Sequence, residues 1–186
     1  DKKNLITKYN EHGYRDAMIL KDSVWNVDPK HVDIYVKVDE GKKYYIRNIK
    51  WVGNTVYSTD YLSRLLDMKK GDVYNQTYLN KRLSQDEDAV GNAYWNNGYL
   101  FYNLQPTEVN IVGDSIDLEM RITEGQQARI NRVKINGNDR LYENVVRREL
   151  RTKPGDLFSK EALQRSAREL ASMGLWAKVA RYLFLI

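Results

Sequence analysis

Groups that titrate, ligate or attack are sparse in this chain, and their spacing is wrong for catalysis. The two histidines, His12 and His31, stand 19 positions apart, in neither a His-x-x-x-His nor a His-Glu-x-x-His arrangement, so they are expected to be solvated or locally bonded. Cysteine is absent, which removes thiolate nucleophiles, disulfides and cysteine zinc sites while leaving the compartment open. Asp86, Glu87 and Asp88 are consecutive carboxylates. Neighbours on a helix point about 100° apart and no Asp-x-Asp-x-Asp-Gly loop surrounds these three, so a solvated helix face is predicted. No Gly-x-Gly-x-x-Gly or Walker pattern occurs, and Lys69-Lys70-Gly71-Asp72 is too short to cradle a phosphate. The residues predict no enzyme, no metal and no cofactor.

Binding chemistry is better supplied. The chain has 14 tyrosines, amphipathic residues suited to contact surfaces, although Tyr9, Tyr14, Tyr94 and Tyr99 read first as packing residues. The net charge of +5 and a pI near 9.2 raise nucleic acid as a partner. By segment the balance is +1 over residues 1–43, −3 over 44–127 and +7 over 128–186. The densest basic cluster, Arg147, Arg148, Arg151 and Lys153, makes a basic α+β nucleic-acid-binding array the alternative from another class. Its simpler explanation is cations offsetting a helix dipole in water. With 42% apolar and 11% aromatic residues the chain can build cores. A mean hydropathy of −0.67, without an apolar run of about 18 residues, predicts no membrane-crossing helix. The sequence opens on Asp1 without a leader, which is expected to be cleaved or to lie outside it.

The elements that must position such groups are organised by an internal repeat. Val36-Lys37-Val38-Asp39-Glu40-Gly41 returns as Met120-Arg121-Ile122-Thr123-Glu124-Gly125, 84 positions later. The same offset carries Gly53-Asn54 to Gly137-Asn138 and Gly71-Asp72-Val73-Tyr74 to Gly155-Asp156-Leu157-Phe158. Tyr9, Gly13 and Tyr14 return as Tyr94, Gly98 and Tyr99 at an offset of 85. Each landmark alone is ordinary turn punctuation; their joint spacing is not.

Residues 44–127 are predicted to be a complete unit, flanked by the C-terminal part of a first (1–43) and the N-terminal part of a third (128–186). The whole reads as a segment of a longer array. Within the complete unit, Tyr44 to Val52 alternates as a strand and leaves at Gly53-Asn54. Ser58 or Thr59 can cap a helix bearing Leu62, Leu65 and Leu66 that closes near Gly71. A second helix follows Asn75, with Leu79, Leu83, Val90 and Tyr94 at helical spacing, and ends at Gly98. Two strands come next. In the last, Ile116, Leu118, Met120 and Ile122 share a face opposite Asp117, Glu119, Arg121 and Thr123. The repeat is therefore α+β, strand-helix-helix-strand-strand, with a three-stranded mixed sheet backed by two antiparallel helices. The third unit departs from this plan at an atypical tail from about residue 175. We expect that tail to run extended and cover the incomplete unit, although Leu175, Val179, Tyr182, Leu183 and Ile186 also fit a helix.

This order and these landmarks resemble the POTRA (polypeptide-transport-associated) domain. The resemblance covers residues 1 to about 174, in tandem copies, and is similar to the periplasmic arm of outer-membrane protein assembly factors. It implies a location on the periplasmic face of the Gram-negative outer membrane and a C-terminal outer-membrane β-barrel beyond this chain. It also implies unfolded outer-membrane proteins and accessory assembly lipoproteins as partners, and no nucleic acid. The arm of another outer-membrane transporter shares the pattern. Such a scaffold would bind extended clients by β-augmentation at a sheet edge. That edge is expected at Tyr99, Leu100, Phe101, Tyr102, Asn103 and Leu104, beside the helix flank at Val90 and Tyr94. Pro106 marks the strand as an edge.

Overall fold

The computed structural model describes residues 2–135 and 142–172 and, for the backbone alone, 183–185. The chain opens with helix α1 (Lys2–Glu11) and a hairpin of β1 (Met18–Asp28) and β2 (His31–Asp39). The hairpin turn is held by Asp28, whose Oδ1 accepts from the Lys30 and His31 amides at 2.7 and 3.0 Å. Val24 and Ile34, paired across the hairpin, are 62% and 67% exposed.

The central fold comprises β3 (Tyr45–Val52), α2 (Thr59–Leu66), α3 (Gln76–Asn80), a π-helical turn (Lys81–Gln85), α4 (Val90–Trp95), β4 (Asn103–Val112) and β5 (Ser115–Thr123). The sheet order is β3-β5-β4, with β3 parallel and β4 antiparallel to β5. The last strand in sequence is thus the middle one. Its period-2 pattern becomes a buried row: Ile116, Leu118 and Met120 are at most 1% exposed. Leu62, Leu66, Leu79, Val90 and Tyr94 cover that row from the helices. Gly53 follows β3 with φ +89°, where a Cβ would lie 2.2 Å from the Ile122 carbonyl oxygen, so no other residue fits this turn.

Ser58 caps α2 as expected, its Oγ accepting from the Tyr61 amide; Asn75 Oδ1 likewise accepts from the Tyr78 amide and Ser159 Oγ from Ala162. The end of α2 comes earlier than expected, at Asp67, whose φ is 52°. The second helix is not continuous. It widens into the π-helical turn and breaks over residues 86–89 before α4. Asp86, Glu87 and Asp88 are therefore off the helix; Glu87 and Asp88 are exposed as expected, while Asp86 and Asp88 ion-pair with Arg82, which is 8% exposed. Arg82 Nε also donates 3.1 Å to the carbonyl of Leu65, tying the break to the end of α2.

A second core gathers Ile130, Val133, Val146, Leu150 and Leu170 from β6 (Arg132–Lys134), α5 (Glu143–Arg148), α6 (Lys160–Ser172) and their flanks. The expected tail from 175 lies mostly outside the described residues. Of it, the backbone of β7 (Leu183–Leu185) runs extended, antiparallel to β6.

The 84-residue spacing reappears in hydrogen bonds. Gly71 N donates to Ile46 O and Gly155 N to Ile130 O, both at 2.7 Å. Tyr44 N donates to Gly13 O at 2.9 Å, and Ala128 N to Gly98 O at 2.7 Å. Tyr9 and Tyr14 meet edge-on at 6.0 Å, Tyr94 and Tyr99 at 5.9 Å. The tyrosine repeat is a packing device that bends the chain at each Gly13-type junction.

Candidate binding edge

A three-stranded sheet has two edges, and here they are unequal. The outer side of β3 is occupied at its start: Gly71 N donates to Ile46 O, Ile46 N to Asp72 O and Tyr74 N to Tyr44 O. Among the described residues no strand lies against the outer side of β4. Pro106 pairs with Met120 yet has no N–H to give β5. That pair must be of the non-hydrogen-bonded type, so the backbone groups of Leu104, Pro106 and Glu108 face outward. The free edge then presents the N–H of Leu104 and Glu108 with a gap at Pro106, and it ends at an irregularity between Glu108 and Asn110. Proline and a bulge are common ways to blunt an edge.

The sequence placed this edge four residues too early. Tyr99 to Tyr102 form a turn, with the Tyr99 amide bonded to the Tyr94 carbonyl at 3.1 Å and the Tyr102 amide to the Tyr99 carbonyl at 3.2 Å. Leu100 is half-buried in that turn and Phe101 is 67% exposed. Only Asn103 and Leu104 of the expected edge residues belong to β4. Val90 and Tyr94 are fully buried and cannot touch a client. Aromatic β-propensity at Tyr99 and Tyr102 competed with packing, and packing won: Tyr102 stacks on Tyr94 at 4.3 Å.

Two clefts follow β4 on its helix side and meet at Pro106. One, about 360 Å3, is lined by Leu83, Trp95, Tyr102 and Leu104. The other, about 340 Å3, is lined by Arg15, Tyr74, Gln76, Leu79 and Glu108. The first is aromatic; Trp95 and Tyr102 meet edge-on at 6.1 Å, and the Tyr102 hydroxyl is buried without a partner among the described residues. Burial pushes that phenol's pKa up. The second is polar. Tyr74 Oη lies 2.9 Å from both Glu108 Oε1 and Gln76 Oε1, and its single proton goes to the carboxylate, the stronger acceptor. Burial and then this bond push the Tyr74 phenol up. Arg15 closes the far end, ion-paired to Glu108 at 2.5 Å.

Three of the four residues of the basic cluster are ion-paired. Arg147 pairs with Glu143, Arg148 with Glu149 and Arg151 with Glu169. His12 Nδ1 sits 2.8 Å from the Lys8 carbonyl oxygen and His31 Nδ1 is 2.7 Å from Asp28, both local partners. Among the described residues no group of acidic, histidine or cysteine side chains is placed to hold a metal ion, and no helix is long and apolar enough to cross a membrane.

The profile of the POTRA family, described as the surface antigen variable number repeat, matches residues 44–125 and 128–181. The chain belongs to the POTRA family. Outer membrane protein assembly factor BamA of Neisseria meningitidis serogroup B is 28% identical over 182 residues, covering 96% of this chain and 22% of its own length. BamA of Nitratidesulfovibrio vulgaris is 28% identical over 167 residues, covering 89% of this chain and 21% of its own. The chain thus spans about a fifth of the length of these curated relatives. The crystal structure of Haemophilus influenzae BamA POTRA3-5 superposes with a TM-score of 0.72 at 19% identity, covering 92% of this chain and 67% of that one. Tandem POTRA repeats therefore account for the fold.

Proposed function

We propose that this chain is part of the periplasmic arm of an outer-membrane protein assembly factor and that it holds extended client segments along β4. The observation that carries this reading is an asymmetry of the central sheet: the start of the β3 edge is covered by Gly71–Tyr74, whereas along β4 no strand among the described residues meets the outward groups, which lie above an aromatic-lined cleft. An added strand gains main-chain hydrogen bonds whatever its sequence, which suits unfolded outer-membrane proteins of many kinds. The gap at Pro106 and the ordering entropy of the client keep single-segment affinity weak, in the high micromolar range or above. Weak capture at one repeat suits a client that must be passed on. A location at the periplasmic face of the outer membrane, a C-terminal barrel and accessory lipoproteins as further partners belong to the same reading. The related BamA proteins that align along this chain support it.

Site-directed photocrosslinking tests it. A photoreactive residue at Gln105 is expected to capture an unfolded outer-membrane barrel protein, and the same residue at Tyr45, where Val73 covers the β3 edge, is not. Equal capture at both positions would contradict edge pairing at β4. Nucleic acid is separated by salt: an oligonucleotide complex weakens steeply as salt rises, whereas edge pairing changes little.

A further inference from the structure

The polar end of the groove is made by a residue from outside the central repeat. Arg15 lies after α1, in the stretch preceding the hairpin, yet its guanidinium is ion-paired with Glu108 of β4 at 2.5 Å and lies over the Tyr44 ring, 5.8 Å from its centroid. The joint between repeats does not need it. The backbone clasp from Tyr44 N to Gly13 O is matched by Ala128 N to Gly98 O at the next junction, and there the position equivalent to Arg15 is Leu100. Same clasp, no arginine.

We propose that the groove is a two-repeat site in which Arg15 determines specificity. It takes an extended segment that lays an apolar side chain beside Trp95 and Tyr102 and, four residues along, a carboxamide side chain beside Arg15 and Glu108. This rests on edge pairing at β4. A strand added there points alternate side chains into the groove, and Leu104 and Glu108 are four residues apart, about 13 Å along the strand. One such side chain therefore meets the aromatic cleft and another, two alternations on, meets Arg15. A guanidinium carries five donors, and the contacts of Arg15 to carboxylates are one at 2.5 Å to Glu108 and one at 3.5 Å to Asp16. The side chain is 33% exposed, so unused donors reach the groove. Arg15, Asp16 and Glu108 together sum to one negative charge, which repels a carboxylate on the client. An asparagine or glutamine accepts from Arg15 and donates to the remaining lone pairs of Glu108, satisfying both without adding charge.

The test uses the full chain and three blocked strand peptides, each with a tryptophan and, four residues later, a glutamine, an alanine or a glutamate. Binding is followed by backbone amide NMR. The glutamine peptide is expected to bind about three- to tenfold tighter than the alanine peptide, with the glutamate peptide weakest. Both Arg15→Ala and Arg15→Lys are expected to abolish the preference for glutamine. The lysine variant keeps a cation for Glu108, so loss in both does not report an opened joint. Equal binding of the glutamine and alanine peptides to the unaltered chain, or a preference that survives both substitutions, would overturn the role of Arg15. If shifts still appear at residues 103–108, edge pairing itself stands; if they do not, both fall.

Discussion

Tyr94 Oη donates a 2.9 Å hydrogen bond to Glu124 Oε1 in the interior of the central repeat, joining the second helix to the Glu-Gly pair after β5. The same carboxylate accepts from the Thr55 and Val56 amides at 2.9 and 3.0 Å and from the Thr55 hydroxyl. No cation faces it among these bonds. Burial alone would raise the Glu124 pKa, but the Thr55, Val56 and Tyr94 donors outweigh burial and hold it below the usual range. A carboxyl with a depressed folded-state pKa adds stability that is present above its unfolded pKa and lost as pH falls through the folded one. Glu124→Gln, which cannot charge and satisfies fewer donors, is expected to cost about 1–3 kcal/mol at pH 7 and to flatten the acid limb. Urea denaturation at pH 7 and in the acid range checks this; an unchanged pH dependence would contradict it.

Arg82 is the buried bracket of the broken helix, and its removal exposes what it satisfies. Arg82→Met leaves the Leu65 carbonyl without its guanidinium donors and Asp86 and Asp88 without their cation. Because Asp88 is well exposed, water recovers part of the pair, and a loss of about 2 kcal/mol is expected rather than the larger cost of a sealed ion pair. Denaturant midpoints of the two proteins measure the loss. Equal midpoints would show that the break is held by something else.

How legible this was depends on the range of the forces involved. The period-2 row of β5, the cap at Ser58, the helix start after Asn75 and the 84-residue repeat are local patterns, and each could be read directly. The break at residues 86–89 could not. Leu83 and Val90 are seven apart, which fits an unbroken helix, and only the tertiary pairing of Arg82 with Leu65, Asp86 and Asp88 interrupts it. The edge was shifted for a similar reason: Tyr99 and Tyr102 look strand-like in isolation, but Tyr94 draws them into the core. Arg15 gave no signal in sequence, because its partner Glu108 is 93 positions away. An inward-facing glutamate opposite Leu118 on an otherwise apolar strand face was the one available hint.

Leu118 is 1% exposed at the middle of the central strand. Leu118→Asp buries a carboxylate without a partner and is expected to destabilise the central repeat by several kcal/mol. A melting temperature unchanged within error would mean that the buried face has been assigned to the wrong side.

Pro106→Ala restores the missing outward N–H on β4. One recovered hydrogen bond is worth about 0.5–1.5 kcal/mol, so strand peptides should bind about two- to tenfold tighter, with more self-association at high concentration. Calorimetric titration and sedimentation read the two effects. Weaker binding in the alanine variant would mean that the proline ring itself forms part of the site.

The central claim is that β4 is the client edge, and amide NMR titration of the full chain with a peptide from an outer-membrane barrel strand tests it most directly. The expected result is shifts concentrated in residues 103–108 and in the facing groove residues around Leu83 and Trp95, saturating in the high micromolar range or above. Shifts confined to α5 and α6 or to the polar sheet face, with none across residues 103–108, would contradict it.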